Sequence, residues 1–412
     1  MYRLAILNSH PVQYAVPFYR RLAREPELDF TVYFYSRQGA DEYVDADFGR
    51  AVRWDVPLLE GYRYKFLPNL RRHDRVAGFA SLVNPAILAE LRRERYDAVF
   101  MNGYSFLTDW FAFFAARSSG TPILYGSDAS LIYDREVRRP WYIRWFKPLM
   151  LRWIFGAMSS FLASGSLSRQ FYEFYGAPPE RIFLFPAAVD NEHFASRGAD
   201  FGERRNALRM ELGIAPEDVV FVFAAKMTPV KAPLELLQAY EKATRDSVQG
   251  TALLMVGDGP LRAEAECFAR ERKLKKVVFT GFANQGELPK YYAMSDVFVR
   301  PDGVYKGPWG YTVNEAMCCG LAVIVTDKIG ATYDLVRHGA NGLVVKFRDL
   351  DALAAAMRQL AADPEGTRQM GRRSAELIRT WSYEQCVEGL FAALRSLDSN
   401  HARCGRAHEA SH

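Results

Sequence analysis

FVFAAKMTPVKAPLELLQAY, residues 221–240, decides how the second half of this chain folds. Its first residues are a short apolar run bounded by a lysine, and from about Pro233 the apolar positions recur at helical spacing. A buried strand running through a loop into an amphipathic helix is the opening of a βαβ unit. Lys226 and Lys231 fall in the connecting loop, so both cations project where the strand's carboxyl end meets the helix N-terminus, a natural seat for a phosphate. Two solvated surface lysines are the plainer reading of the same spacing.

The alternation extends in both directions. Downstream, strands are expected at 252–256, 276–280, 296–300, 321–326 and 343–347; 218–224 starts the series. Upstream, apolar runs at 2–7, 29–35, 97–101, 121–125, 160–164 and 181–185 alternate with helical patterns such as PAILAELRRERY. The chain therefore reads as α/β, with two doubly wound Rossmann-like domains facing across a cleft. The expected division is a first domain over 1–195, a linker over 196–216 where the strand pattern lapses, and a second domain over 217–380. A C-terminal helix over 381–397 that packs back on the first domain comes next, then a disordered tail over 398–412.

The 412 residues, 49% hydrophobic and 25% charged, suffice for two cores. Five cysteines form no CxxC pair, and their odd number argues for a reducing compartment rather than a disulfide framework. MYRLAILNSH reads as a first strand and not a signal peptide, and no stretch is apolar for long enough to span a bilayer. A net charge of +5 suits an anionic ligand or membrane surface, but without a binding motif it does not indicate nucleic acid. The expected location is cytoplasmic, either free or peripheral on the inner membrane face.

Two more loops lie on the same edge as the lysines. VGDGPLR carries Gly257 and Gly259 into a helix, but Arg262 stands where a dinucleotide fingerprint needs its third glycine, which argues against a nicotinamide cofactor. In PDGVYKGPWGYTVNE, residues 301–315, Gly307, Pro308 and Gly310 form a turn and a helix opens near Tyr311, leaving free amides for a diphosphate. Thr312 and Glu315 also fit a capping box, in which the glutamate only closes the helix end. In the first domain, His10, Gly103 with Tyr104, and Asp128 end strands at one edge. The histidine also suits a turn, and Asp128-Ala-Ser also suits a helix cap.

The order AAKMTPVKAP, MVGDGPLR, FTGF, LPKYYAMSDVFVRP, GPWGYTVNEAMCCGLAVIVTD and HGANGLVV resembles the donor-binding half of the retaining family-4 glycosyltransferases of GT-B type. NSHPVQYAVPFYRRL and FPAAVDNEHF extend the resemblance to a subgroup from bacterial polysaccharide and glycolipid pathways. It implies a nucleotide-diphosphate sugar as donor, a glycan or lipid-linked acceptor, no cofactor and no essential metal. By the same resemblance Lys226 and Lys231 bind the diphosphate, Glu315 accepts hydrogen bonds from ribose hydroxyls, and Gly257, Gly310, Tyr311 and Thr312 line the donor site. His10 then joins the catalytic set, and Gly103, Tyr104, Asp128, Asp302 and Gly307 are contacts to acceptor or donor sugar.

One departure stands out. The family pattern is Glu-x7-Glu, and Gly307 occupies the first acid's place. Its loss changes donor choice, slows transfer or abolishes it, and Asp302 substitutes only if the loop folds back. The rival readings are a donor-binding homologue without transfer activity and a nucleotide-sugar epimerase. Asp45-Ala-Asp47 is formally a DxD metal motif, but it follows polar RQGADEYV and reads as ordinary surface acid. Residues 133–158 interleave arginines with Trp141, Trp145 and Trp153; they form either a helix pressed on anionic lipid or an amphipathic helix covering the first sheet.

Overall fold

The computed structural model describes residues 1–45, 49–71, 75–137, 139–245, 250–303 and 309–409, with side chains to Asp398. The chain divides into two compact units. The first comprises Met1–Tyr43, Pro57–Ala187 and Tyr383–His412, the second Val44–Val56 and Ala188–Ser382.

The strands, in chain order, are β1 (Tyr2–Asn8), β2 (Leu28–Phe34), β3 (Tyr43–Asp45), β4 (Arg50–Val52), β5 (Tyr64–Phe66), β6 (Ala98–Asn102), β7 (Ile123–Ser127), β8 (Ser160–Ala163) and β9 (Ile182–Leu184). There follow β10 (Val219–Ala224), β11 (Thr251–Val256), β12 (Val277–Gly281), β13 (Val297–Arg300), β14 (Ala322–Thr326) and β15 (Gly342–Val345).

In the first unit the parallel order is β5-β2-β1-β6-β7-β8-β9. Strands such as Leu4–Leu7 are buried on both faces, which is why they read as unbroken apolar runs instead of alternating ones. The order reverses between β1 and β6, so the crevice at their carboxyl ends is this unit's switch point. Helix Tyr383–Glu409 packs on β8 and β9, where a Cβ at Gly389 would lie 1.8 Å from the Leu184 carbonyl oxygen. The backbone helix also runs to Glu409, through residues expected to form a tail.

In the second unit the parallel order is β12-β11-β10-β13-β14-β15, reversing between β10 and β13. The stretch expected as a linker is two helices of this unit, Asn191–Gly202 and Arg205–Glu211. Two of its charges turn inward: Arg209 is buried and reaches Asp296 at 2.7 Å and the Met294 carbonyl at 2.8 Å, while Arg205 also donates to Asp296. This unit also takes in the ribbon β3–β4 and the residues after it, where Asn284 Nδ2 donates to the Arg53 carbonyl at 2.8 Å and the Gly286 amide to Asp55 at 2.9 Å.

Candidate phosphate and ribose site of the second unit

Loops that follow β10, β11 and β13 converge at the switch point of the second sheet. Gly257 and Gly259 let the β11 loop lie against the β10 loop. Gly257 has φ +135°, and a Cβ there would fall 2.0 Å from the Ala225 carbonyl oxygen. No other residue type fits at that distance. The pairing is completed by Met227 N–H donating to the Asp258 carbonyl at 2.8 Å and Leu261 N–H to the Met227 carbonyl at 3.0 Å.

Both lysines are held by carboxylates. Lys231 Nζ donates to Asp302 Oδ2 at 2.5 Å, and the same oxygen accepts from Arg300 Nη2 at 2.8 Å and Nε at 3.1 Å. Burial lowers the Lys231 pKa, and the neighbouring Arg300 adds to the effect while Asp302 opposes it. Asp302 Oδ1 is buried and has no hydrogen-bond partner among the described residues. Lys226 Nζ donates to both oxygens of Asp45 at 2.9 Å. Asp45 ends β3, so the first acid of the formal DxD serves as a counter-ion; Asp47 lies outside the described residues, as does Gly307.

Helix Tyr311–Cys318 opens at Gly310, whose φ of +94° and close packing against Ile329 and Arg300 admit only glycine. Thr312 lies inside the helix and accepts from Arg300 Nη1 at 2.8 Å. The capping-box alternative is therefore not realised, since the cap position is Gly310 and Glu315 turns into the core. Glu315 is fully buried. Its Oε2 accepts from the Tyr292 hydroxyl at 2.8 Å and its Oε1 has no partner among the described residues. Burial pushes its pKa up to about 7, against the smaller opposing effects of Tyr292 and Arg300. A buried carboxylate oxygen without a donor is costly, and ligand hydroxyls are the natural group to satisfy it.

The sequence reading named the lysines, Gly257, Gly310, Tyr311, Thr312, Glu315 and Asp302, and these cluster in the second unit. It missed Arg300, which looked like the last residue of a strand, and Tyr292, which lies on a helix with no motif of its own. It also missed Asp45 as the partner of Lys226, 181 residues away in sequence.

The remaining residues lie at the switch-point edge of the first sheet. His10 follows β1, accepts or donates at Nδ1 with the Ser9 hydroxyl at 2.8 Å, and is held down to about 4 by burial, so it is neutral at pH 7. Gly103, at φ +93°, and Tyr104 follow β6, the tyrosine ring stacking on Tyr125. Asp128 follows β7. The cap of the next helix is Ser130, which accepts from the Tyr133 amide at 3.2 Å, so Asp128 is not the capping residue. Burial raises its pKa.

Two parallel doubly wound units in one chain are the architecture of the GT-B glycosyltransferases, and solved structures of that class match it along almost its full length. Anabaena HepE, solved with UDP and glucose, superposes with a TM-score of 0.69 at 16% identity, covering 96% of this chain and 100% of its own. Residues 204–377 match the family model of glycosyl transferases group 1. Among curated relatives, the D-inositol 3-phosphate glycosyltransferase of Nocardia farcinica is 31% identical over 230 residues, 54% of this chain and 49% of that protein. The GDP-mannose-dependent alpha-(1-6)-phosphatidylinositol monomannoside mannosyltransferase of Mycobacterium tuberculosis is 30% identical over 247 residues, 58% and 62% respectively. The chain thus spans about half the length of the first of these relatives.

Proposed function

We propose that this chain is a retaining, metal-independent glycosyltransferase of family-4 type. It moves a hexosyl group from a nucleotide-diphosphate sugar to a glycan or lipid-linked acceptor, in the assembly of a cell-surface polysaccharide or glycoconjugate at the cytoplasmic membrane face. The observation that carries the reading is the convergence at one switch point of Lys226, Lys231, a helix opening at Gly310, and a buried Glu315 with an unpartnered oxygen. Cations and helix amides suit a diphosphate; a buried carboxylate acceptor suits vicinal hydroxyls.

In this reading the bond from the sugar's anomeric carbon to the diphosphate oxygen breaks, and its electron pair leaves with the nucleoside diphosphate. Lys226 and Lys231 stabilise that growing charge, which favours the transition state over the bound donor. The acceptor oxygen attacks from the face the phosphate leaves, and its proton passes to the departing phosphate oxygen, so the configuration is retained without a protein nucleophile. Neutral His10, Gly103, Tyr104 and Asp128 contact the acceptor or the donor sugar. Asp302, already engaged by Lys231 and Arg300, keeps one unpartnered oxygen that can take a sugar hydroxyl in place of the missing first acid.

The test is turnover. UDP-, GDP-, ADP- and CDP-sugars are incubated with the protein and a glycolipid extract, with and without EDTA, and nucleoside diphosphate release and the product's anomeric proton coupling are followed. Release from one donor, unchanged by EDTA, with the donor's anomeric configuration in the product, is expected. Donor binding without release in any acceptor mixture favours a non-catalytic homologue, whereas conversion of the donor sugar without acceptor identifies an epimerase.

A further inference from the structure

Helix Trp141–Gly156 in the first unit presents two apolar faces. Leu151, Ile154 and Phe155 are buried in the core beneath it. Lys147 is also turned inward, paired with Asp134, which additionally accepts from Arg139 and from the Tyr175 hydroxyl. These contacts fix the helix's rotation, and they account for the half of the pattern that covers the sheet.

The outward face is what a covering helix does not need. Trp141 and Trp145 are each 76% exposed, Phe146 74%, Leu149 65% and Trp153 56%. Positions 142, 145, 149 and 153 recur at helical spacing, so the exposed side chains form one stripe. Phe114 on the neighbouring helix Leu107–Ser119 extends it, its ring centroid 6.5 Å from that of Trp153. Exposed aromatic area of this extent marks an interaction surface.

Its composition selects the partner. Arg144 and Arg152 lie on the same helix and are exposed, and 141–156 contains no aspartate or glutamate. Tryptophan beside arginine suits a bilayer interface, where the ring has an apolar body in the acyl region and a polar edge at the headgroups while the guanidinium meets lipid phosphate. At 16 residues the helix is about 24 Å long, and no helix among the described residues is long and apolar enough to cross a membrane. We infer that this stripe docks the protein, lying in the plane of the interface, on a membrane surface containing anionic lipid. The inference does not depend on the donor site and would stand if the proposed transfer failed.

Full-length protein is sedimented with phosphatidylcholine vesicles and with vesicles carrying about one-third phosphatidylglycerol, at low and high salt. Neither vesicle contains a sugar acceptor. The expected result is binding to the anionic vesicles at least tenfold stronger than to neutral ones and weakened by salt. Arg144→Glu with Arg152→Glu removes the anionic preference, and Trp141→Ser with Trp145→Ser and Phe146→Ser reduces binding at least tenfold on both vesicles. Circular dichroism and thermal unfolding confirm that each variant remains folded. Equal binding to both vesicles, or no loss in the triple variant, would overturn the inference. So would a wild-type dimer that the triple variant converts to monomer without any vesicle binding, which would assign the stripe to a second copy of the chain.

Discussion

Replacing Asp45 with asparagine removes the charge that faces Lys226 while preserving the side chain's shape. A diphosphate that is to engage Lys226 must displace this carboxylate, so the pair opposes donor binding. Two unit charges about 4 Å apart interact by about 4 kcal/mol at the effective dielectric of a protein surface. Lys226 Nζ sits 2.9 Å from both carboxylate oxygens but its side chain is 31% exposed, so solvent screening applies. Measured pairs with such access contribute about 1 kcal/mol or less. Asp45→Asn should therefore tighten nucleoside diphosphate binding by about fivefold, the factor that corresponds to roughly 1 kcal/mol. Calorimetric titration at two salt concentrations is the assay, and the gain should shrink at high salt as screening weakens the original pair. Unchanged or weaker binding in Asp45→Asn would refute the reasoning, because it would mean that the carboxylate does not compete for the lysine.

Glu315 offers a pH test. Its carboxyl is raised from 4.5 to about 7, so between those values the folded protein holds a proton that the unfolded chain has lost. Stability falls as pH rises through that window, by about 3 kcal/mol at most, and is flat above it. Glu315→Gln should remove this contribution to the pH dependence of the denaturation midpoint, leaving that of Asp109, which burial likewise raises from 3.8 to about 7, and the opposite one of His10, which burial lowers from 6.5 to about 4. Gly257→Ala should cost about 3 kcal/mol or more and lower Tm, since its Cβ meets a backbone oxygen, whereas Gly320→Ala, whose nearest neighbour is 4.0 Å away, should cost only about 1 kcal/mol. Lys231→Met leaves Asp302 facing Arg300 alone and should weaken nucleoside diphosphate binding at least tenfold in the same titration. EDTA should leave the rate of transfer unchanged.

Each of the twelve expected strands has a counterpart within a few residues; most are buried on both faces and so leave unbroken apolar runs, while β9 and β12 are only partly buried. The short β3, β4 and β5 were invisible, being three residues each and mostly exposed or half-buried. Residues 196–216 read as a linker because Arg205 and Arg209 satisfy Asp296, a partner about 90 residues on, and such pairing leaves no local pattern. The same limit applies at the site. Lys226, Lys231, Gly257, Gly310 and Glu315 were legible because strand–loop–helix spacing puts them on one edge. Arg300, Tyr292 and Asp45 act through contacts that only the tertiary fold creates.

The central claim is that Lys226 and Lys231 form a diphosphate site, and its most direct test is a titration of UDP, GDP, ADP and CDP into wild-type protein and the Lys226→Ala, Lys231→Ala double variant. The account predicts that at least one nucleotide binds the wild type and that the double variant, still folded by circular dichroism, binds it at least a hundredfold more weakly. Equal affinity in both proteins, or no binding to the wild type by any of the four, would contradict it.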